Sequence, residues 1–205
     1  MTENPNYSDR YFSEHFLGSP VMVILRGLPP AETVRLCERA VELGLSLIEV
    51  PVQSEATFES LRAAIAWGQA TGHEVGAGTI TSVALLRQVA DAGATFTVAP
   101  GSDLAVMTES DALQLPHLPG VGTATEVHHA LVAGFRWQKA FPAAALGTNW
   151  ISAMNGPFPA VKFVATGGIT AANAGGFLQA GAGAVSLGSA FATSDEAGVR
   201  ALSKR

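Results

Sequence analysis

Three charged side chains lie near the ends of otherwise apolar runs, and each could do chemistry. They are Arg26 in Ile24-Leu25-Arg26-Gly27, Glu49 in Leu47-Ile48-Glu49-Val50-Pro51, and Lys139 in Phe135-Arg136-Trp137-Gln138-Lys139-Ala140-Phe141-Pro142. Lysine is scarce here: the 205 residues hold three, and Lys162 and Lys204 have blander settings near a strand start and at the C-terminus. An ammonium group beside apolar rings loses hydration, so its pKa falls and part of the population is free amine. A free amine attacks carbonyl carbons, the opening step of Schiff-base catalysis. The alternative is a lysine whose stem packs on the aromatics while its head reaches water. Glu49 also has two readings, an acid/base group or half of a structural ion pair with Arg26 or Lys139.

The elements around these residues follow one pattern, a helical run, a glycine and then an apolar strand. It occurs at Val41-Glu42-Leu43-Gly44-Leu45, Asp91-Ala92-Gly93-Ala94-Thr95, Leu131-Val132-Ala133-Gly134-Phe135 and Gln179-Ala180-Gly181-Ala182-Gly183. Each glycine can take the left-handed conformation that ends a helix. The following runs are almost continuously apolar, as parallel strands covered on both faces must be. Strands are expected over 20–25, 45–52, 74–77, 95–99, 115–118, 135–140, 161–165 and 184–187. Helices are expected over 31–43, 55–69, 82–92, 104–113, 125–133, 148–155 and 172–180, with a last one from Ser194 onward. Strict alternation predicts an α/β fold, a single (β/α)8 TIM barrel over 20–205 in compact form. Residues 1–19 form an N-terminal extension, with a short helix expected over Tyr7–Phe16 that could close the barrel floor. A doubly wound sheet shares the alternation, but Gly76-Ala77-Gly78 continues into Thr79-Ile80-Thr81 without the third glycine of a dinucleotide fingerprint.

In a (β/α)8 barrel the chemistry sits at the C-terminal strand ends. Those ends carry Arg26-Gly27, Glu49 to Gln53, Gly78-Thr79, Pro100-Gly101, Pro119-Gly120, Lys139, Thr166-Gly167-Gly168 and Gly188-Ser189. The last two resemble a phosphate cradle: glycine amides and a hydroxyl after the seventh and eighth strands, just before a helix start. Two ordinary glycine turns would be the structural alternative.

Composition narrows the partners. The net charge of −5 argues against nucleic acid or an anionic membrane as the main partner. With 48% hydrophobic and 14% charged residues, most elements must be covered on more than one side. The lone Cys37 cannot form an internal disulfide, and the polar N-terminus lacks a signal-peptide core, so a cytoplasmic setting is expected. His128 and His129 are adjacent on a helix and point apart, while His73 and His117 have no partner at ligand spacing. No metal and no cofactor are expected.

The strand-end motifs together resemble the class I 2-keto-3-deoxy-6-phosphogluconate aldolase family, with its 6-phosphogalactonate-cleaving members and the 4-hydroxy-2-oxoglutarate aldolases. The likeness runs from about Pro20 to Phe191, carried by Ile24-Leu25-Arg26-Gly27, Ile48-Glu49-Val50-Pro51, Gly76-Ala77-Gly78-Thr79, Pro119-Gly120 with Thr123-Ala124-Thr125-Glu126, Lys139-Ala140-Phe141-Pro142, Thr166-Gly167-Gly168 and Leu187-Gly188-Ser189. The resemblance implies a Schiff-base role for Lys139 and general acid/base work for Glu49. It implies substrate binding at Arg26, Gln53, Thr79, Pro100, Phe141 and Thr166, and phosphate binding at Gly167, Gly168, Gly188 and Ser189. The substrate would be a phosphorylated 2-keto acid, the products pyruvate and glyceraldehyde 3-phosphate, and the assembly a homotrimer. Gln53 stands where many gluconate-type members carry arginine, which is closer to the galactonate branch. Two rival functions share the fold: a phosphate-binding epimerase or synthase without a Schiff base, and a catalytically silent ligand-binding protein.

Overall fold

The structure is a computed structural model that describes residues 6–193 and 196–203. Its strands are β1 Val21–Ile24, β2 Leu47–Pro51, β3 Gly76–Gly78, β4 Thr97–Val98, β5 His117–Leu118, β6 Gly120–Val121, β7 Trp137–Ala140, β8 Lys162–Thr166 and β9 Ala184–Leu187. They pair in parallel in the order β5-β4-β3-β2-β1-β9-β8-β7-β6. β5 and β6 are two halves of one barrel strand, parted at Pro119, which has no N–H to give to a ladder. The carbonyl of Leu118 accepts from Ala99 N at 3.0 Å on one side, and that of Pro119 accepts from Lys139 N at 2.8 Å on the other. The ring closes through this strand, and the fold is a (β/α)8 barrel.

Helices Pro30–Glu42, Glu55–Thr71, Val83–Asp91, Leu104–Ala112, Ala124–Val132, Thr148–Asn155 and Ala171–Gln179 alternate with the strands, and Glu196–Ser203 follows the last. Ser194, the expected start of that last helix, lies outside the described residues. Gly44, Gly93, Gly134 and Gly181 all have φ between 81° and 99°, the left-handed turn expected where a helix gives way to a strand. A further short helix, Ala143–Leu146, follows β7.

Two apolar layers result. Outward residues such as Val23, Ile48, Val50 and Ala77 pack with Leu36, Leu61 and Leu86 of the surrounding helices. Inside the lower barrel, Met22, Leu47, Phe96, Val98, Leu118, Trp137, Val164 and Ala184 pack with Phe12 and Phe16 of helix Tyr7–Gly18. That helix is tied to the N-terminal strand ends. Asp9 Oδ1 accepts from Arg136 N at 2.8 Å and Trp137 N at 3.1 Å, and Ser8 Oγ accepts from His117 N at 3.0 Å. Trp137 Nε1 donates to Ser13 Oγ at 2.9 Å. The floor is thereby sealed, so the open end of the barrel is the C-terminal one.

His117 is fully buried beside β4, with Nδ1 2.9 Å from Thr97 Oγ1 and no partner at Nε2. Burial disfavours its charged form and pushes its pKa from 6.5 down to about 3. Between those values the unfolded chain binds a proton that the folded chain refuses, so stability falls as pH falls from about 6.5 toward about 3. One proton sets the slope at no more than ~1.4 kcal/mol per pH unit. Urea unfolding between neutral and acidic pH should show a steeper loss for wild type than for His117→Gln; parallel curves would contradict the assignment.

Candidate active site

Glu49 on β2 is in register with Ile24 on β1 and Gly76 on β3. Lys139 on β7 is in register with Gly120 on β6 and Val164 on β8. Four places around an eight-stranded ring separate β2 from β7, so the two side chains approach the interior from opposite walls. Strand alternation explains why they point inward. Trp137, Lys139 and Phe141 share one face, while Gln138 points out and donates to Val127 O at 3.2 Å and Phe135 O at 2.9 Å. Lys139 Nζ lies 5.1 Å from the centroid of the Phe141 ring.

Both ionisable groups are dry. Glu49 is 0% exposed and Lys139 2%. Neither carboxyl oxygen of Glu49 has a hydrogen-bond partner. Burial raises the Glu49 pKa above the usual carboxylate range, against the opposing pull of Lys139 and then Arg26. Burial lowers the Lys139 pKa; Glu49 opposes that fall and Arg26 adds to it. Both shifts favour the uncharged forms, an amine and a carboxylic acid. An uncharged amine is a nucleophile, and a carboxyl with a raised pKa can carry protons in both directions.

Above this pair opens a cavity of about 260 Å³ lined by Ile24, Arg26, Phe141, Thr166, Gly167, Gly168, Ile169, Thr170, Gly188 and Ser189. Ile24 is the register partner of Glu49, and the Phe141 ring is the one beside Lys139, so the cavity adjoins both. Gly167 and Gly168 follow β8 with φ of 95° and 75°, two successive left-handed residues that side chains would strain. A Cβ on Gly168 would lie 2.5 Å from that of Ala144. Thr170 then caps helix Ala171–Gln179, its side chain accepting from Asn173 N at 3.4 Å. The positive end of that helix and the Arg26 guanidinium give the cavity an anion-attracting character. Thr166 Oγ1 bonds Ser186 Oγ at 3.0 Å within the barrel.

The expected site residues divide in space. Arg26, Phe141, Thr166, Gly167, Gly168, Gly188 and Ser189 share the cavity next to Lys139 and Glu49. Gln53 and Thr79 line a separate groove of about 410 Å³ with Ser54, Thr81 and Gln88. Thr79 has φ of 64°, a strained conformation for a β-branched residue at the end of β3. Pro100 follows β4 and is half-buried, and a Cβ on Gly120 would meet its backbone and lie 2.7 Å from Gly101 N. Ile169 and Thr170 line the cavity without having been singled out by sequence, since an apolar residue and a cap announce nothing alone. Among the described residues, no group of three His, Cys, Asp or Glu side chains is placed to hold a metal ion. Nor is any described helix long and apolar enough to cross a membrane.

Residues 14–202 match the family model described as KDPG and KHG aldolase. A probable 2-dehydro-3-deoxy-6-phosphogalactonate aldolase of Rhizobium meliloti (strain 1021) is 33% identical over 173 residues, covering 84% of this chain and 81% of that protein. A 2-dehydro-3-deoxy-phosphogluconate aldolase of Treponema pallidum (strain Nichols) is 38% identical over 146 residues, covering 68% and 70%. A crystal structure of a KDPG aldolase from Legionella pneumophila, with pyruvate captured at low pH as a covalent carbinolamine, superposes with a TM-score of 0.79 at 27% identity. It covers 92% of this chain and 94% of that one.

Because the Lys139 charge opposes the rise of the Glu49 pKa more than that of Arg26 does, its removal should raise that pKa further. Carboxyl-carbon NMR of protein labelled at glutamate side chains should place the Glu49 titration at higher pH in Lys139→Met than in wild type. A titration that stays put or moves down would show that the two groups are not coupled across the barrel.

Proposed function

This chain belongs to the KDPG and KHG aldolase family, and we propose that it is a class I, Schiff-base aldolase. Its proposed substrate is a 2-keto-3-deoxy-6-phospho sugar acid of galactonate or gluconate type, cleaved reversibly to pyruvate and glyceraldehyde 3-phosphate. The observation that carries the reading is the placement, inside one dry barrel, of an amine whose charged form burial disfavours and a carboxyl whose pKa burial raises. The names of the relatives support the substrate class, and the carbinolamine in the Legionella pneumophila structure supports the covalent route.

In this mechanism Lys139 Nζ adds to the C2 carbonyl of the keto acid, and loss of water from the carbinolamine leaves an iminium. Glu49 supplies and removes the protons of that step, directly or through one water. It then takes the proton of the C4 hydroxyl while the C3–C4 bond breaks. The bonding pair moves onto the iminium to give an enamine, and the aldehyde departs. Protonation at C3 and addition of water release pyruvate and restore Lys139. The orphaned carboxyl oxygens of Glu49 are suited to this work, since a buried carboxyl without a protein partner gains one when a hydroxyl arrives.

The cavity residues take the remaining roles. Arg26 faces the keto-acid carboxylate or the phosphate, and either contact joins opposite charges in a site partly screened from water. The Gly167-Gly168 turn, Gly188, Ser189 and the helix start at Thr170 hold the terminal phosphate. Gln53 and Thr79, at the ends of β2 and β3, are assigned to the sugar-acid end together with Pro100, while Phe141 and Thr166 complete the cavity walls.

A coupled assay for pyruvate on the gluconate- and galactonate-derived 6-phosphates tests the reading. Wild type should cleave at least one of these C4 epimers. Lys139→Ala should lose at least about 10³-fold in kcat. Glu49→Gln, which keeps shape but cannot carry the proton, should lose about 10²–10⁴-fold. A wild-type protein inert toward both substrates, or a near-normal rate in either variant, would overturn it.

A further inference from the structure

We propose that Gly78 is a positioning residue: the missing side chain on the inner face of β3 is the seat of the Glu49 carboxyl. A Cβ built on Gly78 would lie 2.7 Å from Glu49 Cδ and 2.8 Å from Cγ, and closer still to Oε1. Contacts under 3.0 Å essentially never occur for real Cβ atoms, so the carboxyl and any side chain at 78 exclude one another. Backbone conformation does not account for this glycine. Gly78 is absent from the left-handed residues, unlike the helix-ending glycines and the Gly167-Gly168 pair.

The strand cannot retreat to make room. Gly78 is in register with Pro51 on β2 and Val98 on β4, and its carbonyl accepts from Val52 N at 2.9 Å. Two residues earlier Gly76 does the same lower in the barrel: its Cβ would lie 2.5 Å from Phe96 Cδ2. The inner face of β3 is therefore side-chain-free in two successive layers. One layer admits an aromatic ring from β4's side, and the other admits the carboxyl from β2. Glu49 has no hydrogen bond to fix its carboxyl, so shape fixes it. A methyl at position 78 would push the carboxyl off its line to Lys139 while leaving the barrel standing, because the obstructing atoms are the end of one side chain.

The inference rests on the aldolase reading for its kinetic consequence, and on packing alone for its structural one. The test is a double-mutant cycle of Gly78→Ala and Glu49→Ala, read in kcat, KM and thermal unfolding midpoint. Gly78→Ala alone should lower kcat about 100-fold, the scale of a misplacement of about 1 Å, with KM held within about threefold. In the Glu49→Ala background the same change should alter kcat less than about twofold, since the displaced group is gone. The unfolding midpoint should fall on Gly78→Ala in the wild-type background and stay unchanged in the Glu49→Ala background. If Gly78→Ala does not fold, the double variant should fold, for the same reason.

Equal factors in both backgrounds, an unchanged kcat in Gly78→Ala, or misfolding of both variants would overturn the proposal. Should wild type prove inert toward the keto acids, the aldolase reading fails by itself. The midpoint cycle then still decides the packing claim: non-additive midpoints uphold it and additive ones sink it.

Discussion

Two ionisable groups stand inside a barrel with almost no access to water, and one of them has no hydrogen-bond partner at all. Burying a charge without a partner costs several kcal/mol, so such groups survive only when they turn neutral or when the fold compels their position. Here both conditions hold. Glu49 and Lys139 shift toward their uncharged forms, and the barrel holds them on opposite walls of one interior. Much of the architecture serves that arrangement. The Phe12 and Phe16 plug closes the floor, Phe96 fills the middle, and the glycines of β3 leave room where the carboxyl must lie.

The same desolvation that makes the pair costly makes it reactive. An amine in water near neutral pH is almost wholly protonated and cannot attack a carbonyl. Buried in the barrel and near the Arg26 charge, Lys139 gives up that proton more readily. A carboxyl with a raised pKa can both donate and accept within one catalytic cycle. The anion-attracting cavity opens above the pair, lined by Arg26, Gly167, Gly168, Gly188 and Ser189.

Much of this was legible in the chain itself. The four helix-ending glycines marked where strands begin, and their left-handed φ values have the local cause inferred for them. Lys139 and Glu49 stood out because charge inside an apolar strand needs a reason. What stayed hidden was non-local. Pro119 was read as the end of the fifth strand, yet the strand resumes at Gly120–Val121, because a residue without an N–H can still offer its carbonyl to Lys139. Gly78 was visible inside a motif, but its purpose depends on a side chain from β2, which no local pattern reveals. Gln53 and Thr79 line a groove apart from the cavity of Arg26 and Ser189, a separation that residue type does not reveal.

The central claim is that Lys139 becomes covalently bonded to the keto acid during turnover. Intact mass after incubation with pyruvate and borohydride, followed by peptide mapping, tests it most directly. The account predicts one pyruvate-sized, reduced adduct per chain, on the peptide carrying Lys139. Folded protein that gains no mass, or gains it at Lys162 or Lys204 instead, would contradict the account.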